Sequence, residues 1–152
     1  MPAPYHGGCQ CGRIRFTVAV APDTLYVCHC RECQKQSASA FGMSMTVPAD
    51  SVTVTQGTPA QFTREADSGN EVHCHFCPAC GTRLFHETTG RPGKTNVKPG
   101  TLDDGGDLVP VAHIWTASAQ PWLAVPNGVL AFERQPPSHQ ILVDAYRNKG
   151  AH

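Results

Sequence analysis

Eight cysteines stand in three tight groups: Cys9 and Cys11 as C-x-C, Cys28, Cys30 and Cys33 as C-x-C-x-x-C, and Cys74, Cys77 and Cys80 as a run ending in C-x-x-C. Reduced thiols at such spacings share metal ions. Zinc closes a tetrahedron with four protein ligands where it is structural and keeps one position open where it is catalytic. In CPACG, Pro78 fixes one φ and Gly81 tolerates a positive one, so the sulfurs of Cys77 and Cys80 converge in a knuckle. In a strand, residues i and i+2 share a face, which predicts that Cys9/Cys11 and Cys28/Cys30 each aim two sulfurs at one point. Cys9, Cys11, Cys77 and Cys80 then make a four-sulfur structural site that staples the first strand to a middle hairpin. Such a site contributes on the order of 10 kcal/mol in small zinc domains.

CHCRECQK places three sulfurs within six residues and leaves the fourth position open to argument. Three protein ligands plus an exchangeable one is the catalytic pattern; a fourth from Cys74 would close the site and make it structural. Cys74 could equally be a buried apolar thiol on the face of Phe76. His29, between two ligands, should point away from the metal, to solvent or behind the ligands. Arg31, Glu32, Lys35 and Gln36 read as solvated loop residues, with Arg31 or Lys35 able to dock a carboxylate of a thiol cofactor. His73 and His75 read as inert strand residues, and His113 as a satisfied core or edge histidine. Trp122 reads as packing at a bend, or as a wall of the pocket. Asp103-Asp104 reads as a turn.

These ligands need elements to hold them, and the chain of 152 residues has the length of one domain, with one core expected. Apolar residues are 40% and charged residues 16%, so metal cross-links must add what packing lacks. Ile14, Phe16, Val18 and Val20 alternate within Arg13 to Val20, the period of a half-buried strand. Further strands are expected at 25–28, 43–47, 52–55, 61–64, 72–76, 83–86, 96–98 and 111–115, punctuated by Gly and Pro. One helix is expected, N-capped by Ser138, with Ile141, Leu142, Ala145 and Tyr146 at helical spacing and Gly150 as its end. That makes a mainly β, antiparallel domain with a short C-terminal helix. Zero formal charge argues against nucleic acid, since phosphate binding needs a Lys/Arg excess. No run of 18 apolar residues and no signal-peptide pattern occurs, so a soluble, cytoplasmic protein with reduced thiols is expected and no membrane partner.

GGCQCGRIRF, CHCRECQKQSASAF, FCPACGTRLFHE, VKPGTLDD and Gln120-Pro121-Trp122 together resemble the glutathione-dependent formaldehyde-activating enzyme family, which includes centromere protein V-like members. The blocks keep the family's order over residues 5–135, leaving 136–152 as a helical extension on the same domain. The resemblance implies a β-tent fold, a structural zinc on Cys9, Cys11, Cys77 and Cys80, and a catalytic zinc on Cys28, Cys30 and Cys33. It also implies a carbon–sulfur lyase, of the kind that joins formaldehyde and glutathione into S-hydroxymethylglutathione. Small thiols and aldehydes are the partners expected, glutathione or another thiol among them. The alternative is a non-catalytic zinc-stapled scaffold or protein-binding module with both metal sites closed. Two departures stand out: Ser37-Ala38 replaces the family's usual Ser-Gly, and Cys74 has no counterpart in the family pattern. Oligomeric state is not readable.

Overall fold

The computed structural model describes residues 2–149, which form eleven strands and two α-helices. In chain order these are β1 (Tyr5–Gly8), β2 (Arg15–Val18), β3 (Thr24–Cys28), α1 (Arg31–Ser37), β4 (Gly42–Pro48), β5 (Val52–Gln56) and β6 (Ala60–Glu65). There follow β7 (Glu71–Phe76), β8 (Arg83–Thr88), β9 (Lys94–Val97), β10 (Ala112–Ile114), β11 (Leu130–Ala131) and α2 (His139–Asn148). A three-stranded sheet runs β1-β2-β5, and an eight-stranded sheet runs β11-β10-β3-β4-β9-β8-β7-β6. The mainly β architecture with a short C-terminal helix matches the sequence reading.

Strand signals succeed where alternation meets burial. Ile14, Phe16 and Val18 are at most 2% exposed, whereas Val20, expected on the same face, lies beyond β2 and is 40% exposed. Phe16 packs edge-on against Phe85 of the larger sheet, and this contact belongs to a core shared with Leu25, Met45, Leu84 and Val97. The main departure from an antiparallel fold is β10, which pairs in parallel with both β3 and β11. A long excursion after β9 returns the chain to the far side of β3, and only such a crossover lets a parallel strand form.

β1 is not legible in the sequence because two of its four residues are glycine, a poor strand former. Gly7 is there for space: a Cβ would lie 2.6 Å from the Thr101 carbonyl oxygen and 2.7 Å from the Phe16 ring. The helix α2 starts where expected, with Ser138 Oγ accepting from the Gln140 N–H at 3.2 Å. It buries Leu142 and Val143, and Thr24 Oγ1 donates to the Leu142 carbonyl at 2.8 Å, tying the helix to β3. The expected stop at Gly150 lies outside the described residues. Among those described, no helix is long and apolar enough to cross a membrane.

Candidate metal centres and the cleft beside them

Cys9 and Cys11 sit in a turn after β1, not in a strand. The Cys9 N–H donates to the Ile14 carbonyl at 3.1 Å, and Gly12, at φ +79°, closes the turn back onto the Cys9 carbonyl. The turn curls both sulfurs inward, which strand alternation was expected to do. CPACG behaves as a knuckle: Gly81 has φ +82° and its N–H donates to the Cys77 carbonyl at 2.8 Å. The four sulfurs of Cys9, Cys11, Cys77 and Cys80 lie within 4.8 Å of one another. Two of the separations are 3.6 Å for Cys9–Cys11 and 3.8 Å for Cys11–Cys77. Zinc–sulfur bonds of about 2.3 Å in a tetrahedron put sulfurs about 3.8 Å apart, so the four residues fit a zinc ion. Thr82 serves both halves, accepting the Gln10 N–H at 3.1 Å and meeting the Cys80 sulfur at 3.3 Å. Hydrogen bonds from the Thr82 hydroxyl and N–H push the Cys80 thiol down to about 5.

The second group brings three backbone settings to one point. Cys28 ends β3 opposite Gly42, Cys30 is the N-cap of α1, and Cys33 lies on its first turn. The sulfurs lie within 4.8 Å of one another, as zinc requires. Cys30 and Cys28 therefore do not converge as strand neighbours; the helix start turns Cys30 back, and its sulfur accepts the Cys33 N–H at 3.3 Å. Gly42 admits the helix: a Cβ there would sit 3.1 Å from the Cys33 Cβ. With the Cys28 and Cys33 thiols donating to it, the Cys30 thiol is pushed down to about 2, while hydrogen bonding to Cys30 pushes Cys28 up. Gln36 donates through Nε2 to the Cys33 sulfur at 3.5 Å and accepts at Oε1 from Arg83 at 3.3 Å.

Cys74 belongs to neither group. It is 2% exposed on β7, paired with Phe62 and His86 in register. The group of sulfurs lying within 4.8 Å of one another is Cys28, Cys30 and Cys33, without Cys74. Between them, on the chain leaving β9, Lys98 buries its ammonium with no hydrogen-bond partner. Burial pushes the Lys98 pKa down, and the Cys33, Cys74 and Cys28 sulfurs oppose that.

His29 is wholly buried, not solvent-facing, and hydrogen-bonds His113 at 2.8 Å with the rings stacked 5.1 Å apart. His113 is thereby a satisfied core residue, as its sequence context suggests. Gln34, which carries no sequence signal, is the strut of the loop. Its Nε2 donates to the carbonyls of His29 at 2.7 Å and Ser118 at 2.9 Å, and its Oε1 accepts from Gln120 at 3.0 Å. Trp122 neither packs nor walls a pocket, being 73% exposed. The Asp103 carboxylate is held by the Arg15 guanidinium in a two-point contact, one arm at 2.9 Å, which pulls its pKa down. His73 bonds Thr63 at 2.9 Å, and His75 packs on Phe85.

Two concavities flank α1. One, of about 360 Å³, is lined by Arg31, Gln34, Lys35, Ala38 and Ser39. The other, of about 220 Å³, is lined by Glu32, Lys35, Gln36, Phe62, Arg64 and Arg83 and reaches the sulfur centre through Gln36. The family model described as glutathione-dependent formaldehyde-activating enzyme matches residues 4–118, a span that contains all eight cysteines. Among solved structures, the chain resembles the crystal structure of a Rhodobacter sphaeroides protein, a structural genomics target. The TM-score is 0.53 at 16% identity, covering 84% of this chain and 98% of that one, a likeness of fold.

Proposed function

We propose, for a chain that belongs to the glutathione-dependent formaldehyde-activating enzyme family, that it is a zinc-dependent carbon–sulfur lyase joining or releasing a small thiol and an aldehyde at Cys28, Cys30 and Cys33. One observation carries the reading: the three sulfurs converge, and among the described residues no fourth Cys, His, Asp or Glu ligand atom joins their group. Three protein ligands leave a position for an exchangeable group, whereas Cys9, Cys11, Cys77 and Cys80 form a closed set. Zinc bound to the three sulfurs would supply a site where a small thiol is deprotonated at neutral pH, beside a charge that a carbonyl oxygen can feel.

The chain's own residues prepare that site. The Cys28 and Cys33 thiols and the Cys33 N–H point at the Cys30 sulfur, which favours its thiolate. Gln36 fixes the Cys33 sulfur and is itself held by Arg83. The buried Lys98 ammonium offsets the negative charge that three thiolates bring. His29, stacked on His113 and edge-on to Phe41, backs the loop and keeps water from its rear. In the joining direction the thiol sulfur forms a bond to the carbonyl carbon, the carbonyl π pair moves to oxygen, and that oxygen takes up the proton the thiol released. Release runs the same steps backwards.

Zinc removal and reloading, with hemithioacetal formation from formaldehyde and glutathione followed directly, tests this reading. Turnover is expected to vanish without metal, to return with it, and to stay lost in C33S. Undiminished turnover in metal-free protein overturns it.

A further inference from the structure

We propose that Lys98 is a catalytic residue of the three-cysteine centre, where its ammonium hydrogen-bonds the aldehyde oxygen and holds the negative charge that gathers there as the carbon–sulfur bond forms. This rests on the function proposed above and adds to it the group that activates the carbonyl.

Strand register places Lys98 on the face that carries the sulfurs. Cys28 pairs with Gly42, and Met45 pairs with Val97. Met45 and Val97 are fully buried in the core on one side of the larger sheet. Lys98 follows Val97 with its backbone still extended, at φ −82° and ψ 104°, so it turns to the other side, that of Gly42, Ser44 and Cys28. The base of the side chain is pinned. Its N–H donates to the Leu84 carbonyl at 2.8 Å, and its carbonyl accepts from the Thr101 N–H at 3.0 Å and hydroxyl at 2.7 Å. Burial lowers the Lys98 pKa, and the opposing charges that act on it most are the sulfurs of Cys33, Cys74 and Cys28, not carboxylates.

What sets Lys98 apart is that its donors are unspent. Other polar side chains of this face bond one another: Thr46 Oγ1 donates to Asn96 Oδ1 at 2.7 Å, and Asn96 Nδ2 meets His86 Nε2 at 3.2 Å. The Lys98 ammonium, with three donors, is buried and has no hydrogen-bond partner in the protein. Such a group costs stability and is characteristic of functional sites. A counter-ion to the sulfurs needs only the charge; free donors give that charge a direction. Lys98 lines neither concavity beside α1, so bulk water does not compete for them. In a dry site a hydrogen bond to a developing oxyanion is worth more than in water.

In the joining direction the thiol sulfur bonds to the carbonyl carbon and the carbonyl π pair moves to oxygen. Lys98 donates a hydrogen bond to that oxygen and keeps its own proton. The proton the oxygen finally takes is the one the thiol released, so Lys98 ends the cycle as it began. In release the same contact holds the oxygen while its proton leaves and the carbon–sulfur bond breaks.

Zinc-loaded K98M and K98A test this, with exchange between formaldehyde and S-hydroxymethylglutathione followed by NMR above its spontaneous rate. Methionine in place of a buried, unpaired ammonium is not expected to destabilise the fold. K98M should lower kcat about 100-fold at unchanged zinc content. Glutathione binding to the cobalt-loaded variant, read by absorbance, should stay within about threefold of wild type, since the contact is made to the aldehyde and not to the thiol. Added methylammonium should restore a large part of the rate to K98A, which a merely structural role does not allow. An unchanged kcat in K98M, a loss of zinc or thiol binding in step with the rate, or a K98A rate indifferent to methylammonium overturns this inference and leaves the proposed function standing. Wild-type turnover that persists without metal overturns both.

Discussion

Cys28, Cys30 and Cys33 lie within six residues, so a metal there closes only short loops and adds little to the stability of the chain. Its effect is local and chemical. C33S is therefore expected to lower zinc content from about two ions per chain to about one, with little loss of melting temperature and complete loss of turnover. Metal analysis and thermal melts on the same sample check this. Gln36 acts one step out, through its bond to the Cys33 sulfur. Q36A should keep both zinc sites but weaken the second about tenfold, as groups that orient metal ligands commonly do, in competition with a chromophoric chelator. None of this was legible at Gln36 or Gln34, because a glutamine in a polar stretch gives no pattern until its partners are placed in space.

At the scale of elements, α1 was missed for a physical reason. It is seven residues long and largely solvent-facing, so it has no apolar period to reveal it. What holds it is the cap at Cys30, the contact of Cys33 with Gly42 and the Gln34 strut. Its C-cap explains the departure at Ser37-Ala38, where the resemblance leads one to expect glycine: Ala38 has φ 51°, ψ 40°, a left-handed conformation that costs a side chain. A38G should raise stability by about 1 kcal/mol, read by denaturant melts. The other helix carries an acid weakness. Burial, with Arg91 nearby, pushes His139 from 6.5 down to about 4, and neither ring nitrogen has a hydrogen-bond partner. The unfolded chain then takes up a proton that the folded chain refuses, so stability is full above pH 6.5 and declines as pH falls towards about 4. H139F, which preserves the edge contact with Tyr26 and loses no hydrogen bond, should flatten the fall in melting temperature across that window.

Across the whole molecule, metal at the two cysteine groups would do different work because of how far apart in the chain their members lie. Cys11 and Cys77 are 66 residues apart, and their site joins the turn after β1 to the β7–β8 hairpin, with Cys9 and Cys77 inside the main core. Removing that cross-link takes away a staple between the smaller sheet and the larger one and leaves their shared core to hold them. C80S, or a strong chelator, is expected to remove cooperative thermal unfolding, consistent with a site contributing on the order of 10 kcal/mol. C33S should not, and comparing the two melts tests the division of roles. The sequence by itself determined the two cysteine groups that could hold metal and most of the strands, because thiol spacing and two-residue alternation are local properties of the chain. It also marked Cys74 as the residue on which a closed or an open site turned. Only the tertiary structure bears on that, since it gathers Cys28, Cys30 and Cys33 into one group and places the Cys74 sulfur outside it. The same packing brought Arg64, Arg83 and Phe62 to one cleft from two strands distant in sequence, a juxtaposition that no local pattern can encode.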